Sequence, residues 1–323
     1  VEKNQRYRIR LINAGAFAEF QFSVDNHTLS VIEADGTMVD PLSVHRLDVA
    51  VAERYSVILT ANQTATNYWI RAQMSTDCFT TNNPVLNPDV RGILSYTDSE
   101  AFPNGEESVD WSDALELVCQ DLNTSLLVPS VQQSAPPADV LYSVQFSFEI
   151  GDDALDRAYI NGSTWTPSII PTLNAVVPAL HAGNATFNVT GVTPSYGLSN
   201  QYIIDLPTYE VVDILLTNFD DGAHPFHLHG HNFWVMASSA DQYFPWDSYG
   251  SLNTTNPPRK DTIVVDAYGW VLIRFRNDVP GMWAFHCHIT WHLQAGLMMQ
   301  FQMRNDLMKD WVLPEDVLEL CNV

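Results

Sequence analysis

In 323 residues, 38 acidic side chains against 15 basic ones leave a formal charge of −23. That balance argues against partners recognised through phosphate, so nucleic acid and anionic membranes are excluded as natural ligands. Hydrophobic residues at 46% are ample for the cores of about two domains, and no apolar run approaches a membrane span, so an acidic, soluble protein is expected.

From Tyr7 to Tyr96, short segments rich in β-branched and aromatic residues recur between polar breaks. They include Gln21–Asp25, Leu29–Glu33, Leu47–Val51, Tyr55–Thr60, Tyr68–Gln73 and Ile93–Tyr96, and they predict an all-β sandwich or Greek-key barrel. His27 and His45 lie here as isolated histidines, which suits structural or surface roles. Residues 97 to 140, rich in Pro, Ser, Asp and Asn, predict a linker; Cys78 lies in a loop before it and Cys119 within it. Strands are again predicted at Ser143–Ile150, Ala158–Asn161, Tyr202–Asp205, Val211–Thr217, Phe233–Met236, Thr262–Val265, Val271–Arg276 and Met298–Met303. Residues 239 to 257 predict an aromatic surface loop, and Pro314–Leu320 one short helix. Asn-X-Ser/Thr triplets begin at Asn26, Asn62, Asn123, Asn161, Asn184, Asn188 and Asn253, a density that fits a secreted glycoprotein, extracellular or of the cell wall. The chain opens without an initiator Met or a signal-peptide pattern and enters a strand almost at once, as if partway into a fold.

The chemistry concentrates in two stretches. His286-Cys287-His288, with His292 close behind, follows an apolar run that reads as extended. Side chains alternate across a strand, so His286 and His288 point one way and Cys287 the other. One strand can therefore serve a metal centre on each side. A thiolate with two imidazoles suits a blue copper site. The second stretch, His224-Pro-Phe-His227-Leu-His229-Gly-His231, places His227 and His229 on one face, with Pro225 expected to break the strand and let His224 aim elsewhere. A lone histidine or a lone buried cysteine would be unremarkable; two dense histidine clusters, one wrapped around a cysteine, point to copper.

These residues resemble the third and fourth histidine motifs of the multicopper oxidases, most closely fungal laccases and laccase-like pigment oxidases. The resemblance runs from Tyr7 to about Arg304 and implies tandem cupredoxin-like Greek-key β-barrels, two of the family's usual three domains, the first of them incomplete. The implied division is 1–98, second cupredoxin domain; 99–139, linker; 140–306, third cupredoxin domain; 307–323, tail. It also implies His224, Cys287 and His292 as ligands of a type 1 copper, with Leu297 at the axial position where it cannot coordinate. His227 would bind a type 2 copper, and His229, His286 and His288 the type 3 pair; His231 belongs to the motif without being a ligand. Ascomycete laccases carry a disulfide that corresponds to Cys78–Cys119, and Cys321 would pair outside the chain. The family's cluster needs eight histidines in four His-X-His pairs, and only half are here. The expected remainder is a missing first domain, on the same precursor or a separate chain.

The implied reaction couples one-electron oxidation of phenolic substrates near His292 to four-electron reduction of dioxygen, with four coppers per complete enzyme and Cys287 and its flanking His286 and His288 as the conduit. The isolated chain is then expected to be inactive. Phe17 stands where many laccases have a carboxylate, and Thr290 where some members, ferroxidases among them, have an acid; Asp278 is one candidate proton donor, and a group in the missing domain is the other. Alternatives are a ferroxidase and, from other classes, a blue-copper electron carrier or a non-catalytic copper-binding glycoprotein.

Overall fold

The computed structural model describes residues 1–79, 81, 83–97, 102, 106–115, 119–151, 154–183, 201–240 and 243–320. The chain forms two units, one of Val1–Gln133 with Thr255–Lys260, the other of Ser134–Thr254 with Asp261–Val323.

The first unit contains β1 (Arg6–Ile12), β2 (Phe20–Val24), β3 (Leu29–Ala34), β4 (Thr37–Val44), β5 (Arg46–Val49), β6 (Arg54–Thr60), β7 (Asn67–Met74) and β8 (Asp89–Ser95). They make two four-stranded sheets, ordered β1-β6-β3-β4 and β5-β2-β7-β8. Alternation builds the core: Leu29 and Val31 of β3, and Tyr55, Val57 and Leu59 of β6, point inward and are buried with Val24 and Leu47. Strand β4 was not expected, because Pro41 interrupts its pattern. Proline is tolerated where no ladder N–H is required, and β4 lies at a sheet edge with Pro41 exposed. Cys78 and Cys119 are joined in a disulfide with a Cα–Cα distance of 5.2 Å. Cys321, Asn184 and Asn188 lie outside the described residues.

The second unit contains β9 (Val140–Ile150), β10 (Asp156–Ile160), α1 (Thr172–His181), β11 (Ile203–Leu206), β12 (Val211–Asn218), β13 (His224–Leu228) and β14 (Phe233–Ser239). The two-residue β15 (Arg259–Lys260) returns to the first unit. Then follow β16 (Thr262–Val265), β17 (Trp270–Arg276), β18 (Gly281–Cys287), α2 (Thr290–Ala295), β19 (Met298–Met303), α3 (Asn305–Met308) and α4 (Glu315–Leu318). Within this unit one sheet runs β10-β9-β12-β17-β14 and the other β11-β19-β18-β13-β16. Their inner faces bury Phe146, Ile214, Phe226, Phe275, Phe285, Phe301 and Cys287 in one core. Helix α1 was not expected either. Its Leu173, Val176, Val177 and Leu180 follow helical spacing and cover Met308 and Trp311, but Pro178 in the middle disguises the pattern.

The expected barrels are not what forms. Closure requires every strand to be bonded on both sides. Among the described residues β1, β5 and β8 each pair on one side only, as do β10, β11 and β16, and β4 meets no second strand beyond an isolated bridge at Val39–Pro129. Each unit is a mostly β cupredoxin-like structure of open sheets, because the alternating apolar faces are satisfied by packing sheet on sheet. Among the described residues no helix is long and apolar enough to cross a membrane.

Candidate metal centre

Strand β13 lies between β18 and β16, with Phe226 opposite Cys287 and His227 opposite His286. Parity then sorts the side chains. His224, Phe226 and Leu228 are buried on one face of β13, and His227 and His229 leave from the other. The break expected at Pro225 does not occur: Pro225 stays in the strand opposite Val264, and its carbonyl accepts from His288 N at 2.7 Å. Alternation alone sends His224 away from its neighbours.

On the core side, Cys287 Sγ lies 3.7 Å from His224 Nδ1 and 3.7 Å from His292 Nδ1, and the two imidazole nitrogens are 3.0 Å apart. These are the described residues whose donor atoms gather closely enough to hold one metal ion. His292 reaches the group because the chain leaves β18 at Cys287 and turns into α2. At its end Gly296 adopts φ +112°, and a Cβ there would meet Thr164 Oγ1 at 2.2 Å and the backbone of Trp165 and Ala158. This turn brings back Leu297, fully buried with Cys287, whose amide donates to the Leu297 carbonyl at 3.2 Å. Phe148 stacks on His224 and meets His292 edge-on, with ring centroids 5.6 and 4.9 Å apart, and Phe146 meets His224 edge-on.

The donor chemistry fits a copper ion. Burial pushes the Cys287 thiol well above its usual range and lowers His292 to about 4, with His224 beside it acting in the same direction. Burial therefore holds the Cys287 thiol and the His292 imidazole in their neutral forms. A bound cation reverses that preference for the thiol, which ligates as thiolate. The outer nitrogen of His224 donates to Asp220 Oδ2 at 2.9 Å, which fixes the tautomer so that Nδ1 faces the pocket. Burial works against the charge on Asp220, but the bond to His224 holds its carboxyl below the usual range.

On the opposite side of the Cys287 peptides, His227, His229, His286 and His288 gather. Ring centroids are 5.0 Å apart for His227–His229, 5.1 Å for His229–His286 and 5.6 Å for His286–His288. His229 Nε2 and His286 Nε2 face each other at 3.0 Å. His286 Nδ1 donates to the carbonyl of Cys287 at 2.9 Å, and His227 Nδ1 to the Asp261 carbonyl at 2.9 Å, so each presents its other nitrogen to the cluster. Burial lowers His286 to about 4. His231 does not join: its Nδ1 donates to the His229 carbonyl and its ring packs between Phe275 and Trp283. Gly230 at φ +70° makes room for Trp283, whose ring a Cβ would overlap at 2.4 Å.

The isolated histidines are satisfied elsewhere. Buried His27 bonds the Asp25 carbonyl and Tyr96 OH, and His45 stacks on Trp111 beside Asp113. Phe17 packs against Phe79, Thr290 opens α2 and Asp278 is exposed. Sequence reasoning missed Asp220. The available signal was a carboxylate four residues before a ligand histidine, joined by the tight Asp-Asp-Gly loop.

Comparison with known proteins agrees with this chemistry. Two family profiles, each described as multicopper oxidase, match residues 1–99 and 170–306. The iron transport multicopper oxidase fio1 of Schizosaccharomyces pombe is 32% identical over 99% of this chain and 50% of its own length. Laccase-4 of Thanatephorus cucumeris is 36% identical over 93% of this chain and 52% of its own. Among solved structures, Fet3p, a multicopper oxidase that functions in iron import, superposes with TM-score 0.86 at 28% identity, covering 99% of this chain and 60% of that one. A laccase from Botrytis aclada gives TM-score 0.81 at 29% identity, over 99% and 55%. The chain thus spans about half the length of the curated relatives it matches. With a His-Cys-His copper site on one side of a strand and a histidine cluster on the other, the chain belongs to the multicopper oxidase family.

Proposed function

We propose that this chain is the electron-accepting part of a multicopper oxidase that oxidises ferrous iron, one electron at a time, and reduces dioxygen to water. The observation that carries the choice of reductant is the Asp220–His224 bond. A partly exposed carboxylate touches the outer nitrogen of a buried type 1 ligand, so a cation held by Asp220 sits one hydrogen bond from the electron acceptor. Anionic oxygen is also the ligand a hard cation prefers, and it favours the more highly charged ferric product. The names of the fio1 and Fet3p relatives support the same reading.

Bound copper would supply one-electron acceptance among His224, Cys287 and His292 and dioxygen reduction among His227 (type 2), His229, His286 and His288 (type 3). The protein orients those donors, keeps water from Cys287 and connects the two sides. Besides the covalent chain through Cys287, the His286 Nδ1–H to Cys287 carbonyl bond offers a second short link. The four remaining imidazoles of the oxygen-reducing cluster would come from protein outside this chain. The triplets at Asn62 and Asn123 support passage through a secretory pathway.

A phenol-oxidising, laccase-type enzyme is the second reading, favoured by fully buried Leu297. An axial position without a donor favours reduced copper and raises the potential that phenols require. In full-length, copper-loaded enzyme, ferrous iron should give the higher kcat/KM, and Asp220→Asn should lower it about tenfold or more while changing a substituted phenol by less than about threefold. Preference for the phenol, with equal loss on both substrates, would select the second reading.

A further inference from the structure

The Asn-X-Ser/Thr triplets are chemically equivalent in sequence and sharply different in the fold. N-glycosylation replaces one Nδ2–H of asparagine with a bond to C1 of a sugar. The bond from C1 to the diphosphate of a lipid-linked oligosaccharide donor breaks, and the displaced amide proton passes to a base. A site can bear the product only if one Nδ2–H is dispensable and the space beyond it is open. We propose that Asn62 and Asn123 carry glycans and that Asn161, in the same triplet pattern, does not. The assignment rests on the secretory reading above and is independent of the reductant.

Asn161 is a structural strut. It sits at φ +47° in the two-residue turn Asn161–Gly162, closed by the Ile160–Ser163 pair at 2.8 and 2.9 Å. Its Nδ2 donates to the Ser143 carbonyl at 3.1 Å and to Tyr202 OH at 2.7 Å, using both protons. Its Oδ1 accepts from Gln145 N at 2.9 Å, and its own N–H donates to the Gln145 carbonyl at 2.9 Å. Tyr202 is only 5% exposed. A sugar on Nδ2 would displace either β9 or Tyr202, and the turn would lose its anchor to the core.

Asn123 and Asn62 are built differently. Asn123 is exposed, and its Oδ1 accepts from both Ser125 N at 3.0 Å and Ser125 Oγ at 2.7 Å. Asn62 is exposed too, with Oδ1 accepting from Gln63 Nε2 at 3.2 Å. Every bond the structure gives these two side chains is on Oδ1, which a glycan leaves intact. Among the described residues Nδ2 of each makes no hydrogen bond, and both residues are exposed.

The test is to secrete the full-length protein from a eukaryotic host and deglycosylate it in heavy-oxygen water, which marks each formerly glycosylated asparagine as labelled aspartate. Label on Asn62 and Asn123 with none on Asn161 is the expected result. Asn62→Gln and Asn123→Gln should each remove one glycan's mass, and Asn62→Gln should do so without moving the unfolding midpoint. Asn161→Gln should leave the glycan mass unchanged and lower the midpoint by about 5 °C or more. Label on Asn161, or its absence from Asn62 or Asn123, overturns the assignment. A protein bare at all three refutes the secretory reading with it.

Discussion

At Leu297, in the proposed axial position, the residue's identity would bear on what the metal site can oxidise. Its side chain is fully buried in the core that holds Cys287, and its carbonyl accepts from the Cys287 amide. No donor atom on that side chain can stabilise the oxidised metal. Leu297→Met supplies a thioether of similar volume, so the fold should survive and the reduction potential should fall. For one electron a drop of about 59 mV is a tenfold change in the equilibrium. Spectroelectrochemical titration of the copper-loaded full-length enzyme measures it, and an unchanged or higher potential would mean that Leu297 does not occupy the axial position. Asp220 acts from the other side, through the outer nitrogen of His224, so its substitution should separate substrates rather than abolish copper binding.

At the scale of elements, the metal centre depends on one strand ending in one helix. Strand β18 delivers Cys287, α2 delivers His292 a turn later, and the Gly296 turn returns the chain to β19. Gly296 makes that reversal at φ +112°, against Thr164 and the backbone of Trp165 and Ala158. Gly296→Ala must move α2 or the facing β10 segment. The cost should be about 2–4 kcal/mol, since positive φ and an unrelieved backbone clash add. Denaturant unfolding should show that loss, and the blue absorption should weaken because His292 moves with the helix. Full retention of both would show that the turn relaxes without α2.

For the whole molecule, the acidic excess is not all on the surface. Asp205 is 9% exposed, and burial raises its carboxyl to about 7, with Glu210 adding to the rise and the bond from Asn305 Nδ2 opposing it. Asp48 is raised to about 6, again chiefly by burial. An unfolded aspartate releases its proton near 3.9. Between about pH 4 and 7 the folded state therefore holds protons that the unfolded state has lost, and stability falls as pH rises through that window. Each pH step is worth up to about 1.4 kcal/mol per such group. Asp205→Asn keeps an acceptor for Asn305 and removes the titration, so its advantage over the wild type should be larger at pH 8 than at pH 5. Denaturation at the two pH values measures it; an advantage equal at both would mean that Asp205 is already ionised at pH 5.

The side of the strand each copper donor faces was legible from sequence, because alternation is a local property of extended backbone. It separates Cys287 from His286 and His288, and His224 from His227 and His229, with no help from Pro225. Most strands were legible for the same reason, and β4 and α1 were hidden because a proline stood in each pattern. Only the tertiary structure decided how the sheets end. Alternation says which face is apolar, but open sandwich or closed barrel depends on whether edge strands find partners far along the chain. Tertiary packing likewise made Asp220 a partner of a buried ligand and separated a structural Asn161 from its exposed counterparts. It also buried Lys260 completely, 2.7 Å from Glu53 and 3.3 Å from Asp35. In a local window a lysine reads as solvated. Whether a charge is paired in the dry interior is set by residues about two hundred positions away, which no local period encodes.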